Sequence, residues 1–275
     1  MNVRNVQRCL GMRRGFLFSL LLVFTGCSLG LDWGGTYSGN GADANASDVL
    51  DAGMPAEDAS QQKVSTDAGL CAASHDLCDD FDHDGGLLNR GWSGQDISPD
   101  GGTVAISDAA AFSLPFALET RTFAKTFAQI AKQFHGVPRA FSCKLEMKIA
   151  DPGDIAPSHF FEFAIGHAGG VTERLQFYRS GSDIRINQNV SSGGPAKYHF
   201  MGTVLSEWTS VAFDGTFAPD AGTFNVTWNG SPVLQGETFY LPNPIGPLEL
   251  SIGIWSESNA PMHVFYDNVV CDITR

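Results

Sequence analysis

The sequence predicts an all-β fold, a two-sheet antiparallel jelly-roll sandwich, and three observations lead there. The first is strict alternation of apolar and polar residues. In Cys143-Lys-Leu-Glu-Met-Lys-Ile149 only a half-buried strand puts Leu145, Met147 and Ile149 on one face and Lys144, Glu146 and Lys148 on the other. Phe224-Asn-Val-Thr-Trp228 and Leu248-Glu-Leu-Ser-Ile-Gly-Ile254 repeat the pattern. The second is punctuation: Gly, Pro, Asn and Asp cluster between such segments, as at Asp151-Pro-Gly-Asp154, Ser191 to Pro195 and the hairpin pair Asn229-Gly230. The third is the lack of a helical period, with Ala124 to Phe134 the most ambiguous stretch.

Further strands are expected near 79–83, 102–107, 116–121, 124–134, 159–166, 174–179, 183–189, 197–201, 207–214, 233–234 and 262–273. A dozen or more short strands in roughly 200 residues bury their apolar faces only as two packed sheets.

The chain divides into three parts: a signal peptide over 1–26, a linker over 27–69 and the jelly-roll domain over 70–275. The leader holds Arg4, Arg8, Arg13 and Arg14 and no acid, followed by the apolar run Phe16 to Phe24. That run is too short to span a bilayer and fits a secretory signal. Phe24-Thr25-Gly26-Cys27 resembles the lipobox of bacterial lipoproteins, although Phe24 departs from the usual Leu or Val. The resemblance implies lipidation of Cys27, and Ser28 after it favours the outer membrane. The linker is rich in Gly, Ala, Ser and Asp and is expected to be a disordered tether reaching about 35–40 Å.

Charge narrows the partners. The signal removes 4 of 17 basic residues, leaving 13 against 30 acidic ones, a net −17. This disfavours nucleic acid and anionic surfaces and suits a neutral ligand or a cation. After the signal and the lipid claim Cys9 and Cys27, Cys71, Cys78, Cys143 and Cys271 remain. An even number in an exported chain implies two disulfides. The pairing 71–78 with 143–271 is expected, and 71–143 with 78–271 or 71–271 with 78–143 are the alternatives.

Several motifs carry a resemblance for the domain. Cys78-Asp-Asp-Phe-Asp82, Gly91-Trp92, Gly101-Gly-Thr-Val104, Glu207-Trp-Thr-Ser-Val211, Phe224 to Gly230 and Val264-Phe-Tyr-Asp-Asn-Val-Val270 resemble the concanavalin A-like, laminin-G-like jelly-roll superfamily. That superfamily includes lectins, carbohydrate-binding modules, glucanases and polysaccharide lyases, and its fold does not choose among them. The glucanase pattern Glu-x-Asp-x-x-Glu is absent; Glu162 is the lone acid of its strand. Lyases of the superfamily use Arg, Gln, His and Tyr. Arg174, Gln176, Tyr178, Arg185 and His159 are present, but outside the lyase motifs. The domain is therefore expected not to be an enzyme.

Strand parity predicts a binding face. With Phe161, Phe163, Leu175, Phe177, Ile184, Ile186, Ile252 and Ile254 inward, Glu162, Gln176, Tyr178, Arg185, Asn187 and Trp255 face outward. Flat aromatics with planar hydrogen-bonding groups suit a sugar. The expected partner is a glycan or another envelope polymer. A polysaccharide-cleaving enzyme and a structural envelope protein are the rival classes. The Asp-rich start adds a metal expectation: Asp79, Asp80, Asp82 and Asp84, with Asp267 from the last strand, are candidate ligands for a structural Ca²⁺.

Overall fold

The computed structural model describes residues 70–83, 86–193, 196–203, 206–241 and 243–275. The expected signal, Cys27, the linker and Asp84 lie outside the described residues. The described part is an all-β sandwich of two antiparallel sheets. In chain order its strands are β1 (Leu77–Asp79), β2 (Gly94–Ile97), β3 (Gly102–Ser107), β4 (Ala117–Thr122), β5 (Phe127–Phe134), β6 (Ala140–Asp151), β7 (Ser158–Gly166) and β8 (Thr172–Ser180). There follow β9 (Asp183–Val190), β10 (Lys197–Thr203), β11 (Thr209–Phe217), β12 (Gly222–Trp228), β13 (Ser231–Thr238), β14 (Leu248–Ser256) and β15 (Met262–Thr274). One sheet runs β13-β12-β11-β6-β15-β4-β3, with β1 also paired to β15. The other runs β10-β9-β8-β7-β14-β5-β2.

Alternation places the core as expected. Phe141, Cys143, Leu145, Met147 and Ile149 of β6 are buried, and so are Phe161, Phe163 and Ile165 of β7. Between the sheets, Phe161 stacks on Phe177 with centroids 4.6 Å apart and meets Phe213 edge-on at 5.3 Å. Phe177 stacks in turn on Trp228 at 5.4 Å. Each such ring contributes about 1.5–3 kcal/mol by leaving water, so this phenylalanine cluster dominates the cohesion of the two layers.

Two strand boundaries differ from expectation. The segment expected at 79–83 leaves the sheet after Asp79, because the Asp79 carboxylate accepts the Phe81 amide at 2.9 Å and Phe81 takes φ 59°. Asp79 also accepts the Trp92 indole N–H at 2.8 Å and pairs with Arg90 at 3.0 Å. In the ambiguous 124–134 segment, Ala124 takes φ 58° in a turn, and the strand begins at Phe127. β2 was not anticipated; Gly94-Gln-Asp-Ile97 is too short and mixed to alternate visibly.

Both expected disulfides form. Cys143 and Cys271 are directly opposed in the β6–β15 register, Cα atoms 4.2 Å apart, and the pair is buried between the sheets. Cys71–Cys78 closes a local loop at the entry to β1. A buried carboxylate, Glu173 of β8, pins the connection after β13. It accepts the Tyr240 and Leu241 amides at 2.9 and 3.0 Å and the Gln188 side-chain amide at 2.7 Å.

One feature of the core shapes the outer surface. β7 carries a bulge between His159 and Phe161 in its pairing with β8. β14 carries one between Ile252 and Trp255 in its pairing with β7. Gly253 sits inside the second bulge at φ 128°, where a Cβ would come within 2.2 Å of the Ala128 carbonyl oxygen, so only glycine fits. The Tyr266 hydroxyl, reaching across from β15, lies 2.5 Å from the Phe160 carbonyl and 3.1 Å from the Gly253 carbonyl. A single buried donor thus serves both distorted segments.

Candidate ligand-binding face

The outer side of the β10–β2 sheet gathers all six residues that parity assigned to it. Gln176 of β8 is opposite Glu162 of β7 and opposite Asn187 of β9, while Tyr178 is opposite Arg185. Trp255 of β14 is opposite His159 of β7. The polar members form a chain of hydrogen bonds. Arg174 and Gln176 donate to the two oxygens of Glu162, the latter at 2.7 Å. Asn187 and Asn189 donate to the Gln176 oxygen at 2.8 and 2.9 Å. Arg185 pairs with Asp183 at 2.7 Å.

The aromatic members form a row across the strands. Trp255 stacks on His159 with centroids 5.0 Å apart, His159 tilts against Tyr178 at 5.2 Å, and Tyr178 against Tyr198 of β10 at 6.1 Å. The row stays open to solvent at both ends: Trp255 is 38% exposed, Tyr198 53% and the neighbouring Phe200 60%. Trp255 also borders a depression of about 570 Å³ lined by Lys125, Phe127, Glu257 and Asn259 among others.

Sequence parity missed two members of this row. His159 has the same parity as Phe161 and Phe163 and belongs inside by strict alternation. The β7 bulge sets Phe160 and Phe161 both inward and turns His159 out beside Trp255. Tyr198 had a legible signal: Tyr198 and Phe200 alternate with buried His199 and Met201 on the edge strand β10. Burial under its neighbours pushes the His159 pKa down to about 4, so the ring is neutral near pH 7. Burial, then the nearby Tyr198 and Glu257, pushes the Tyr178 hydroxyl up, so it stays protonated.

The expected metal ligands are not gathered into a set. Asp80 accepts the Asp82 amide at 3.2 Å, and Asp82 accepts the Phe116 amide at 3.0 Å. Asp267 accepts the Phe112 and Ser113 amides at 2.9 Å each, the Asn268 amide at 2.7 Å and the Ser113 hydroxyl at 3.2 Å. Asp82 and Asp267 therefore clamp the same β3–β4 connection over β15. Among the described residues, no group of three or more His, Cys, Asp or Glu is placed to hold a metal ion. Oxygens already committed to backbone N–H groups do not fit a Ca²⁺ shell, which needs six or more oxygens at about 2.3–2.6 Å.

No protein-family model matches the chain, and no curated protein matches it either. A solved structure shares its architecture, the two-sheet antiparallel β-sandwich. The cellulose-induced protein Cip1 is similar with a TM-score of 0.52 and 16% identity, over 72% of this chain and 98% of that one. An alginate lyase, vAL-1 from Chlorella virus, gives a TM-score of 0.48 at 11% identity, over 67% and 93% of the two chains. The CBM22-1 xylan-binding domain of Paenibacillus barcinonensis Xyn10C gives 0.40 at 13% identity, over 74% and 97%. At these identities the likeness is one of fold.

Proposed function

We propose that this is a lipid-anchored cell-envelope protein whose jelly-roll domain binds glycan without cleaving it. The observation that carries this reading is the solvent-open row of Trp255, His159, Tyr178 and Tyr198 beside a continuous amide and carboxylate network. A sugar ring has an apolar face that stacks on aromatics and a hydroxyl rim that reads planar donors and acceptors. Trp255→Ala and Tyr178→Ala are expected to weaken binding on a glycan array by about fivefold or more, since each removes roughly 1 kcal/mol or more of stacking. Both should melt within a few degrees of the parent chain, because an open-face ring adds little to the core. Two strongly destabilised proteins would place these rings in the core instead. For the anchor, Cys27→Ala is expected to abolish partitioning into the detergent phase while export continues; a variant that still fractionates as lipid-modified removes the assignment.

A second reading, polysaccharide cleavage, has one specific observation in its favour. The neutral His159 ring lies against the protonated Tyr178 hydroxyl-bearing ring, a proton acceptor beside a proton donor on a sugar-sized face. Release of new reducing ends from any glycan the protein binds, lost in His159→Ala, would select this reading over the first.

A further inference from the structure

We infer that the face takes an internal stretch of an uncharged polysaccharide, about four sugars long, laid across the strands from Trp255 to Tyr198. This rests on the glycan-binding reading and deepens it by naming the class of glycan and its orientation.

Charge excludes the acidic polymers. A site for a uronate or sulfated chain needs cations free to meet each acid group. The two arginines of the row are already neutralised, Arg174 by Glu162 and Arg185 by Asp183. His159 is uncharged near neutral pH. Lys197 of the edge strand is held by Glu237 at 2.6 Å, and Lys125 shares its depression with Glu257. On the other flank the face carries Glu249 of β14 and Asp96 of β2, acids with no ion pair among the described residues. Burial, then the proximity of Glu162, pushes the Glu249 pKa up, and burial does the same for Asp96. Among the described residues of this face, a polyanion meets carboxyls without ion pairs and guanidinium groups that each already hold a carboxylate, on a chain of net charge −13.

Two polar atoms beneath the face are left unmet. The Asn187 side-chain oxygen and the Arg185 Nε are buried and have no hydrogen-bond partner among the described residues, one acceptor and one donor two positions apart on β9. An unmet buried polar atom is costly, and a hydroxyl both donates and accepts. This pair favours a hydroxyl-rich ligand, and the ion pairs above decide between neutral and acidic polymers.

The orientation follows from spacing. The row steps through β14, β7, β8, β9 and β10, which are successive neighbours in the sheet. Four strand-to-strand steps of about 4.8 Å give a track of about 19 Å. A pyranose repeat is close to one such step, so a chain lying across the strands meets a fresh ring or amide with each sugar. Both ends of the track are open, at Trp255 and at Tyr198 with Phe200, so a chain end is not required.

The test is calorimetric titration of the full chain with ladders of xylo- and cello-oligosaccharides from disaccharide to hexaose, beside alginate and polygalacturonate oligosaccharides of the same lengths. Affinity for a neutral ladder is expected to rise up to about the tetraose and then level off. It should change by less than about twofold when NaCl is raised tenfold, since screening acts on charges. Glu162→Gln, which frees Arg174, is expected to add measurable, salt-sensitive affinity for the acidic ladders. Preferential binding of an acidic ladder by the parent chain, or affinity that stops rising at the disaccharide, overturns this inference and leaves glycan binding standing. No binding to any ladder, neutral or acidic, overturns both.

Discussion

Removing the Tyr266 hydroxyl, as in Tyr266→Phe, isolates the link between core and surface. The ring is fully buried and the substitution keeps its volume, so no cavity forms and only the donor is lost. That donor lies 2.5 Å from the Phe160 carbonyl and 3.1 Å from the Gly253 carbonyl, at the bulges that set His159 and Trp255 on the outer face. Leaving a buried acceptor unmet costs about 1–3 kcal/mol. For a domain of this size each kcal/mol lowers Tm by about 2–4 °C, so Tm should fall by about 2–12 °C. The bulges relax with it, so affinity for the glycan ladder should drop although Tyr266 lies in the core and touches no ligand. Differential scanning calorimetry and the same titration measure the two effects. A variant that melts within about 1 °C of the parent refutes the claim that this hydroxyl supports the bulges. A large loss of stability with unchanged affinity separates the bulges from the binding face.

Two further outcomes follow from buried groups. The Cys143–Cys271 bridge closes a sequence separation of 128, for which the chain-entropy model gives about 4–5 kcal/mol, against about 2 kcal/mol for the Cys71–Cys78 clip. Urea unfolding of the two double Cys→Ala variants should rank them in that order, and equal losses would contradict it. Burial pushes Asp267 up to about 7, against the pull of its amide and hydroxyl donors. A folded pKa above the unfolded value means the native state binds more protons between the two, so this group's contribution falls as pH rises from about 4 to about 7. The stability gap between the parent chain and Asp267→Asn should therefore be widest at the acid end and narrow towards neutrality. A gap that is flat or widens with pH refutes that assignment.

The sequence by itself determined the strands, the layer architecture and most of the outer face, because pleating is local. A strand's side chains alternate whatever it pairs with, so Glu162, Gln176, Tyr178, Arg185, Asn187 and Trp255 were readable as one face from parity alone. The two disulfides were expected as well: 71–78 is a short local clip, and Cys143 lies in an interior-patterned strand with Cys271 near the end of the last strand, although a β15 bulge between Asp267 and Val270 is what turns Cys271 inward. Tertiary structure decided what local periodicity cannot carry. His159 joins the row only because a bulge shifts the register of β7. That bulge is served by a hydroxyl from Tyr266, 106 residues further along the chain and in the other sheet. Two of the aspartates expected as calcium ligands, Asp82 and Asp267, take backbone N–H groups of the β3–β4 connection, which lies over β15 only once the sheets have packed. Spacing along the chain records which side chains share a pleat, but which donor reaches a buried oxygen depends on segments the chain brings together last.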